Sequence, residues 1–171
     1  MALSGRLQFI FENLVPGKDV WDFCCDHGYL GTEALRSGKF GEVHFVDSVP
    51  HIVHDLEKSL QAQFPGLVPR ARFFACKGEE LFLPVSGTAV IAGVGAFTIL
   101  KILKSLWDGS CLQADRLILC PQRDEEKLLQ MLKSLGEEFA HRFTMHSQYI
   151  LREKKRNRFV YIFDRFSNTS K

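Results

Sequence analysis

Apolar residues recur at helical spacing from the start of the chain, at Leu3, Leu7, Ile10, Phe11 and Leu14, and Pro16-Gly17 closes the run. This pattern predicts a short amphipathic helix. Val20, Trp21, Phe23, Cys24 and Cys25 then form a compact run of β character. Helical spacing resumes at Thr32, with Leu30, Ala34 and Leu35 on one face, and is broken at Ser37-Gly38-Lys39. The same grammar repeats. A strand over Glu42 to Asp47 precedes a helix marked by Ile52, Val53, Leu56, Leu60 and Phe64, which Pro65-Gly66 stops. Strands follow at Ala71 to Cys76 and Thr88 to Gly93. A helix carries Ile99, Leu100, Ile102, Leu103 and Leu106, a strand spans Arg116 to Pro121, and a helix runs from Glu125 to Leu135 with Leu128, Leu129 and Leu132 inward.

The tail changes pattern. Phe139 to Leu151 and Arg158 to Phe166 read as two strands joined by a polar, basic turn with no helix between them, so they must pair antiparallel. Strands alternating with helices and ending in a hairpin define an α/β fold: a Rossmann-like, doubly wound, mostly parallel sheet of seven strands with an antiparallel C-terminal hairpin. One domain accounts for residues 1–171: an N-terminal helix in 1–16, a parallel core in 17–136, a hairpin in 137–166, and a frayed end.

Composition narrows the class. With 46% hydrophobic and 12% aromatic residues the chain can bury an ordinary core. Neither a secretory leader nor an apolar run of membrane-spanning length is present, so the expectation is a cytoplasmic protein without a membrane partner. The five cysteines are odd in number and lack C-x-x-C spacing, which predicts reduced thiols and no metal. A net charge of +2 does not by itself argue for nucleic acid. Its distribution says more: Arg152, Lys154, Lys155, Arg156 and Arg158 crowd the final turn against a single Glu153, either as a solvated turn or as an RNA contact.

The candidate chemistry centres on Asp22 to Gly31, where the first strand turns into a helix. Such loops contact nucleotides in open α/β sheets. A dinucleotide site would carry G-x-G-x-x-G here, but this loop has Cys24, Asp26 and Gly28. Acids repel pyrophosphate and suit a cation, and S-adenosylmethionine carries a sulfonium and an ammonium. Asp47 lies about twenty residues on, where a ribose-binding acid belongs. A second glycine-bearing turn, Gly93-Val94-Gly95, follows the fourth strand. The class reading is a methyltransferase using that cofactor, and five parallel strands extended by an antiparallel hairpin resemble the common (class I) fold of such enzymes. Plainer roles exist: Asp22 and Asp26 as caps, His27 as a backbone-bonded ring, Cys24 and Cys25 as packing, although a thiol near a helix N-terminus can have a lowered pKa.

Four segments follow one another as in a known family: Leu3-Ser-Gly-Arg-Leu-Gln, Asp22-x-x-x-Asp26-His27-x-Tyr29-Leu30, Val90-Ile-Ala-Gly-Val-Gly and Arg116-Leu-Ile-Leu-x-Pro121-Gln122. The chain resembles the bacterial tRNA (adenine-22 N1)-methyltransferase family. The resemblance implies S-adenosylmethionine as cofactor, with S-adenosylhomocysteine as product. It places Asp22, Cys24, Gly28, Gly93, Val94 and Gly95 around the cofactor, Asp47 on its ribose, and Lys77 and Gly78 by its adenine. It also implies Asp26, His27 and Tyr29 as the catalytic group facing the base, and Pro121 and Gln122 near the substrate. Adenine N1 is on the Watson-Crick edge, so the base must be unpaired and stacked, for which Tyr29 and Phe97 are the aromatic candidates. The expected partner is tRNA or another structured RNA, the expected assembly a monomer or weak homodimer. Other readings are a methyltransferase of an rRNA base or small molecule, or a weakly active RNA-binding relative. The chain departs from the family pattern at Cys24 and Ala96, where glycines are usual, and at Cys76-Lys77-Gly78 for Gly-Asp-Gly. It also lacks the helical C-terminal extension.

Overall fold

The computed structural model describes residues 3–153 and 156–166. Five parallel strands form the centre: β1 (Val20–Phe23), β2 (Val43–Asp47), β3 (Ala71–Ala75), β4 (Thr88–Ala92) and β5 (Arg116–Cys120). With β6 (Phe143–Glu153) and β7 (Arg156–Arg165) they make one seven-stranded sheet in the order β3-β2-β1-β4-β5-β7-β6, in which β7 runs antiparallel to both its neighbours.

The central strands are near-continuous apolar runs because helices cover both faces. Along β1, Val20 points to one side and Trp21 and Phe23 to the other. On the first side pack α1 (Gly5–Glu12), α2 (Tyr29–Ser37) and α3 (Pro50–Gln63), through Ile10, Leu35 and Leu60. On the second pack α4 (Ala96–Asp108), α5 (Leu128–Leu132) and α6 (Glu137–Arg142), through Ile102, Leu128 and Phe139. Helix ends follow local chemistry. The Ser4 hydroxyl accepts from the Leu7 amide at 3.4 Å, and Gly38 closes α2 in the left-handed conformation.

Two elements differ from the sequence expectation. Phe139 lies in a helix, not a strand. Phe139 and Phe143 are four apart, and that helical interval lets both rings pack on Trp107, at 5.3 and 6.4 Å between centroids. The expected helix over Glu125 to Leu135 is split into 3₁₀, α and 3₁₀ turns. The Glu125 carbonyl there accepts from the buried Tyr161 hydroxyl at 2.9 Å.

Register fixes where the hairpin points. Leu119 of β5 pairs with Tyr161 of β7, so the paired strand ends Glu153 and Arg156 rise beyond the carboxyl end of β5. The start of α1 comes to the same edge.

Candidate active site

A groove of about 1250 Å³ opens at the carboxyl ends of β1 and β4. These adjacent strands send their chains to helices on opposite faces, so the groove lies at the switch point of the sheet. Asp22, Cys24, Cys25, Asp26 and His27 line it from β1, Ala92 and Gly93 from β4, and Gln122 from beyond β5.

The β1 loop has an unusual backbone. Cys24, Asp26 and Gly28 all have positive φ, at 58°, 49° and 65°. Left-handed residues at alternate positions are the geometry of a glycine-rich turn, made here with one glycine. Each non-glycine L-residue costs about 1–2 kcal/mol in this region, less for Asp, whose side chain tolerates it. Neighbours hold the loop in place. The Cys24 and Cys25 amides donate to the Val46 carbonyl at 2.7 and 3.2 Å, and the Asp26 amide donates to Asp47 Oδ2 at 3.1 Å. Asp47 Oδ1 accepts from the Val49 amide at 3.0 Å, so the expected ribose acid also ties the loop to the start of α3.

The loop is acidic and partly desolvated. Asp22 is 5% exposed, and burial pushes its carboxyl from 3.8 up to about 7. The Gly31 amide, donating at 3.1 Å, opposes the shift, and the Asp47 charge adds to it. Burial likewise pushes the Cys24 thiol up to about 12, with Asp47 and Asp22 adding to the effect, and moves Cys25 upward as well. Both remain thiols at neutral pH. That corrects the idea of a helix N-terminus lowering a cysteine pKa here: loss of solvent outweighs the dipole.

The substrate-facing candidates stand at the mouth. Asp26 and His27 are exposed, with Oδ1 and Nε2 3.8 Å apart, and the Tyr29 ring centroid is 5.5 Å from that of His27. Phe97, 66% exposed, stands on the first turn of α4. The turn before it is stitched to the segment after β5. Gly93 (φ 83°) donates to the Cys120 carbonyl at 3.3 Å, the Gln122 amide to Val94 at 2.8 Å and Ala96 to Arg123 at 3.1 Å. These bonds flank Gly95 and bring Gln122 into the groove while Pro121 is buried.

Other expected residues do different work. Lys77 is exposed and pairs with Glu80 at 3.1 Å, and Glu79 pairs with Lys101 at 2.8 Å. Gly78 is buried, and a Cβ there would meet Ile102 at 2.8 Å, so its smallness serves close packing. Arg158, expected at RNA, is 13% exposed. It approaches Glu125 and Glu153 at 3.5 Å each and donates to the Gln122 carbonyl at 3.2 Å, so it braces the hairpin against the site. Arg152 and Arg156 are exposed, and Lys154 and Lys155 lie outside the described residues. Leu3, Ser4, Arg6 and Leu7 of the opening segment, with Glu153, complete the groove wall. No role was assigned to them from sequence. The signal in the sequence is that Leu3-Ser-Gly-Arg-Leu-Gln is one of the four segments that carry the family resemblance. Among the described residues, no group of three or more His, Cys, Asp or Glu is placed to hold a metal ion, and no helix is long and apolar enough to cross a membrane.

Comparison with known proteins agrees with this geometry. M. capricolum TrmK in complex with the cofactor product S-adenosyl-homocysteine superposes with a TM-score of 0.79 at 19% identity, over 96% of this chain and 70% of that one. The B. subtilis m1A22 tRNA methyltransferase TrmK gives 0.79 at 21% identity, over 96% and 67%. An rRNA methylase from Streptococcus thermophilus gives 0.65 at 16%, over 95% of both chains. At these identities the likeness establishes the fold. No curated protein sequence matches the chain. Residues 3–158 match the methyltransferase domain family, a span that begins at the first groove-lining residue, Leu3, and reaches into the last strand. The chain belongs to the methyltransferase domain family.

Proposed function

We propose that this protein is an S-adenosylmethionine-dependent methyltransferase of structured RNA whose target is N1 of an adenine in tRNA. The observation that carries the reading is the acidic loop at the switch point. Asp22, Asp26 and Asp47 converge on one turn of a methyltransferase-family sheet, and that donor set fits a cationic nucleoside and disfavours a pyrophosphate. When bound, the cofactor supplies an electrophilic methyl group on a sulfonium. Asp22 and the backbone around Gly28 and Gly93 would hold it, with Asp47 available to its ribose.

The protein's own part in the chemistry is alignment and charge. Adenine N1 is the nucleophile, and its lone pair becomes the new N–C bond while the S–C bond breaks. The base thereby gains positive charge. Asp26 at the mouth accepts a hydrogen bond from the exocyclic amine and stabilises that charge. Tyr29, His27 and Phe97 offer faces for an unstacked base, and Arg152 and Arg156 on the overhanging hairpin offer cations to the RNA backbone. The two TrmK structures support the tRNA reading, since their fold is shared.

The test is incubation with total bacterial tRNA and methyl-labelled cofactor, followed by digestion to nucleosides. Labelled N1-methyladenosine is expected. Label in rRNA and none in tRNA would favour the second reading, an rRNA base. Its support is the fold shared with the rRNA methylase, at a TM-score of 0.65.

A further inference from the structure

At the carboxyl edge of the sheet most cations already have a carboxylate. Lys77 pairs with Glu80 at 3.1 Å, Lys101 with Glu79 at 2.8 Å and Lys127 with Asp124 at 2.8 Å, while Arg158 lies between Glu125 and Glu153. Arg123 is different. It is exposed, and among the described residues its guanidinium takes part in no ion pair or hydrogen bond, although Asp124, Glu125 and Glu126 follow it directly in the chain. Its backbone, by contrast, is fixed. Arg123 bridges to Gly95, its carbonyl accepts from the Ala96 amide at 3.1 Å, and Asp124 after it turns through left-handed backbone at φ 55°. A cation without a partner on an anchored backbone offers its charge at a fixed place, so an anion that binds it orders one side chain and no loop.

The position of Arg123 points to the anion. Its Cβ lies 3.9 Å from where a Cβ on Gly95 would stand, two residues ahead of Phe97 on the first turn of α4. Gln122, its chain neighbour, enters the groove, so Arg123 stands at the rim on the side of the ring offered to the unstacked base. A base held at that ring is one sugar away from its own phosphate. We propose that Arg123 grips the phosphate of the nucleotide being methylated and thereby fixes where its base sits relative to Asp26. The inference rests on the function proposed above and adds to that site a residue that holds the substrate. A planar guanidinium presents paired N–H groups that match phosphate oxygens in bidentate fashion. Arg152 and Arg156 belong to the hairpin and meet the RNA backbone away from the reacting nucleotide, whereas Arg123 is carried by the segment bonded to the β4 turn itself.

Filter binding of end-labelled bulk bacterial tRNA by the intact chain with S-adenosylhomocysteine present, repeated over a range of salt, tests this alongside steady-state methylation. Arg123→Gln is expected to weaken tRNA binding about 10-fold, the equivalent of losing one charge-assisted hydrogen bond, and to lower the slope of log affinity against log salt by about one phosphate contact. Because the phosphate belongs to the reacting nucleotide, kcat at saturating tRNA should fall as KM rises, whereas loss of a remote backbone contact, as in Arg156→Gln, raises KM alone. Arg123→Lys, which keeps charge without the fork, should recover most of the binding and less of kcat. S-adenosylhomocysteine affinity and melting temperature should match wild type. Lys133→Gln, at an exposed cation farther along the same segment, should change none of these readings. Unchanged tRNA affinity and salt slope, a rise in KM with kcat intact, or a loss of S-adenosylhomocysteine affinity overturns the proposal. Failure of the wild-type chain to bind or methylate tRNA overturns the tRNA reading and this inference with it, and is told apart because no variant is involved.

Discussion

The two turns that meet at the switch point solve the same problem in different ways. The turn after β4 has φ 83° at Gly93, and the space where a Cβ would go is open, with Gln122 Nε2 at 3.7 Å. The turn after β1 places Cys24 and Asp26 in left-handed backbone, and its one glycine, Gly28, is crowded by Leu56 at 2.5 Å. The first is relaxed and held by main-chain bonds to the strand beside it. The second is strained, acidic and partly buried, and survives because Val46, Asp47 and Gly31 fix it from three sides. Stored strain and a buried acid are features that cluster at functional sites, so the contrast singles out the β1 loop as the candidate binding turn.

The largest effect should come from Asp22. Its native pKa of about 7 lies above its ordinary 3.8, so between those values the folded state holds a proton that the unfolded state has lost. Stability therefore falls as pH rises from about 4 to about 7 and levels off above. Asp22→Asn should abolish that slope and be more stable than wild type at pH 8, by on the order of 2–4 kcal/mol in urea unfolding. The wild-type preference for S-adenosylmethionine over its neutral-sulfur product should grow from pH 6 to 8 as Asp22 ionises, and the Asn variant should show no such growth. A flat wild-type profile would remove Asp22 from the account of the loop.

Next is Gly28→Ala, which combines a left-handed position with a Cβ driven into the Leu56 methyls. A loss of about 2–4 kcal/mol is expected from urea titration. Gly93→Ala faces the same backbone penalty without the clash and should cost about 1 kcal/mol. Equal losses at the two sites would erase the distinction between the turns. The smallest effect is Cys24→Gly. Relief of strain at φ 58° is offset by the entropy glycine loses on folding, leaving a gain of at most about 1 kcal/mol in thermal unfolding. A clear destabilisation would mean that Cys24 packing, not its backbone, dominates.

Much of the fold is legible in apolar runs. Ala89 to Ala92 and Leu117 to Cys120 are uninterrupted because strands covered on both faces have no polar side. The helix at Phe139 escaped because one turn leaves too little periodicity to separate from an alternating strand. Asp22, Asp26 and Gly28 could be singled out as chemistry-bearing by type and order. Arg6 and Arg158 could not be ranked, since a basic residue in a charged turn looks available while one in an apolar stripe looks misplaced. Burial treats them alike: both are largely shielded, Arg158 between Glu125 and Glu153 and Arg6 beside Glu153.

The sequence by itself determined the order of the seven strands and of the helices through α4, the acidic character of the first loop and the resemblance that named a substrate class, because residue type and spacing are local properties. Tertiary structure alone decided that Asp22 titrates near neutrality, that Cys24 and Cys25 remain thiols, that glycine-like backbone is held without glycines, and that the hairpin and opening helix complete the groove. Those outcomes depend on desolvation and on contacts between residues far apart in the chain, and neither is encoded at any single position.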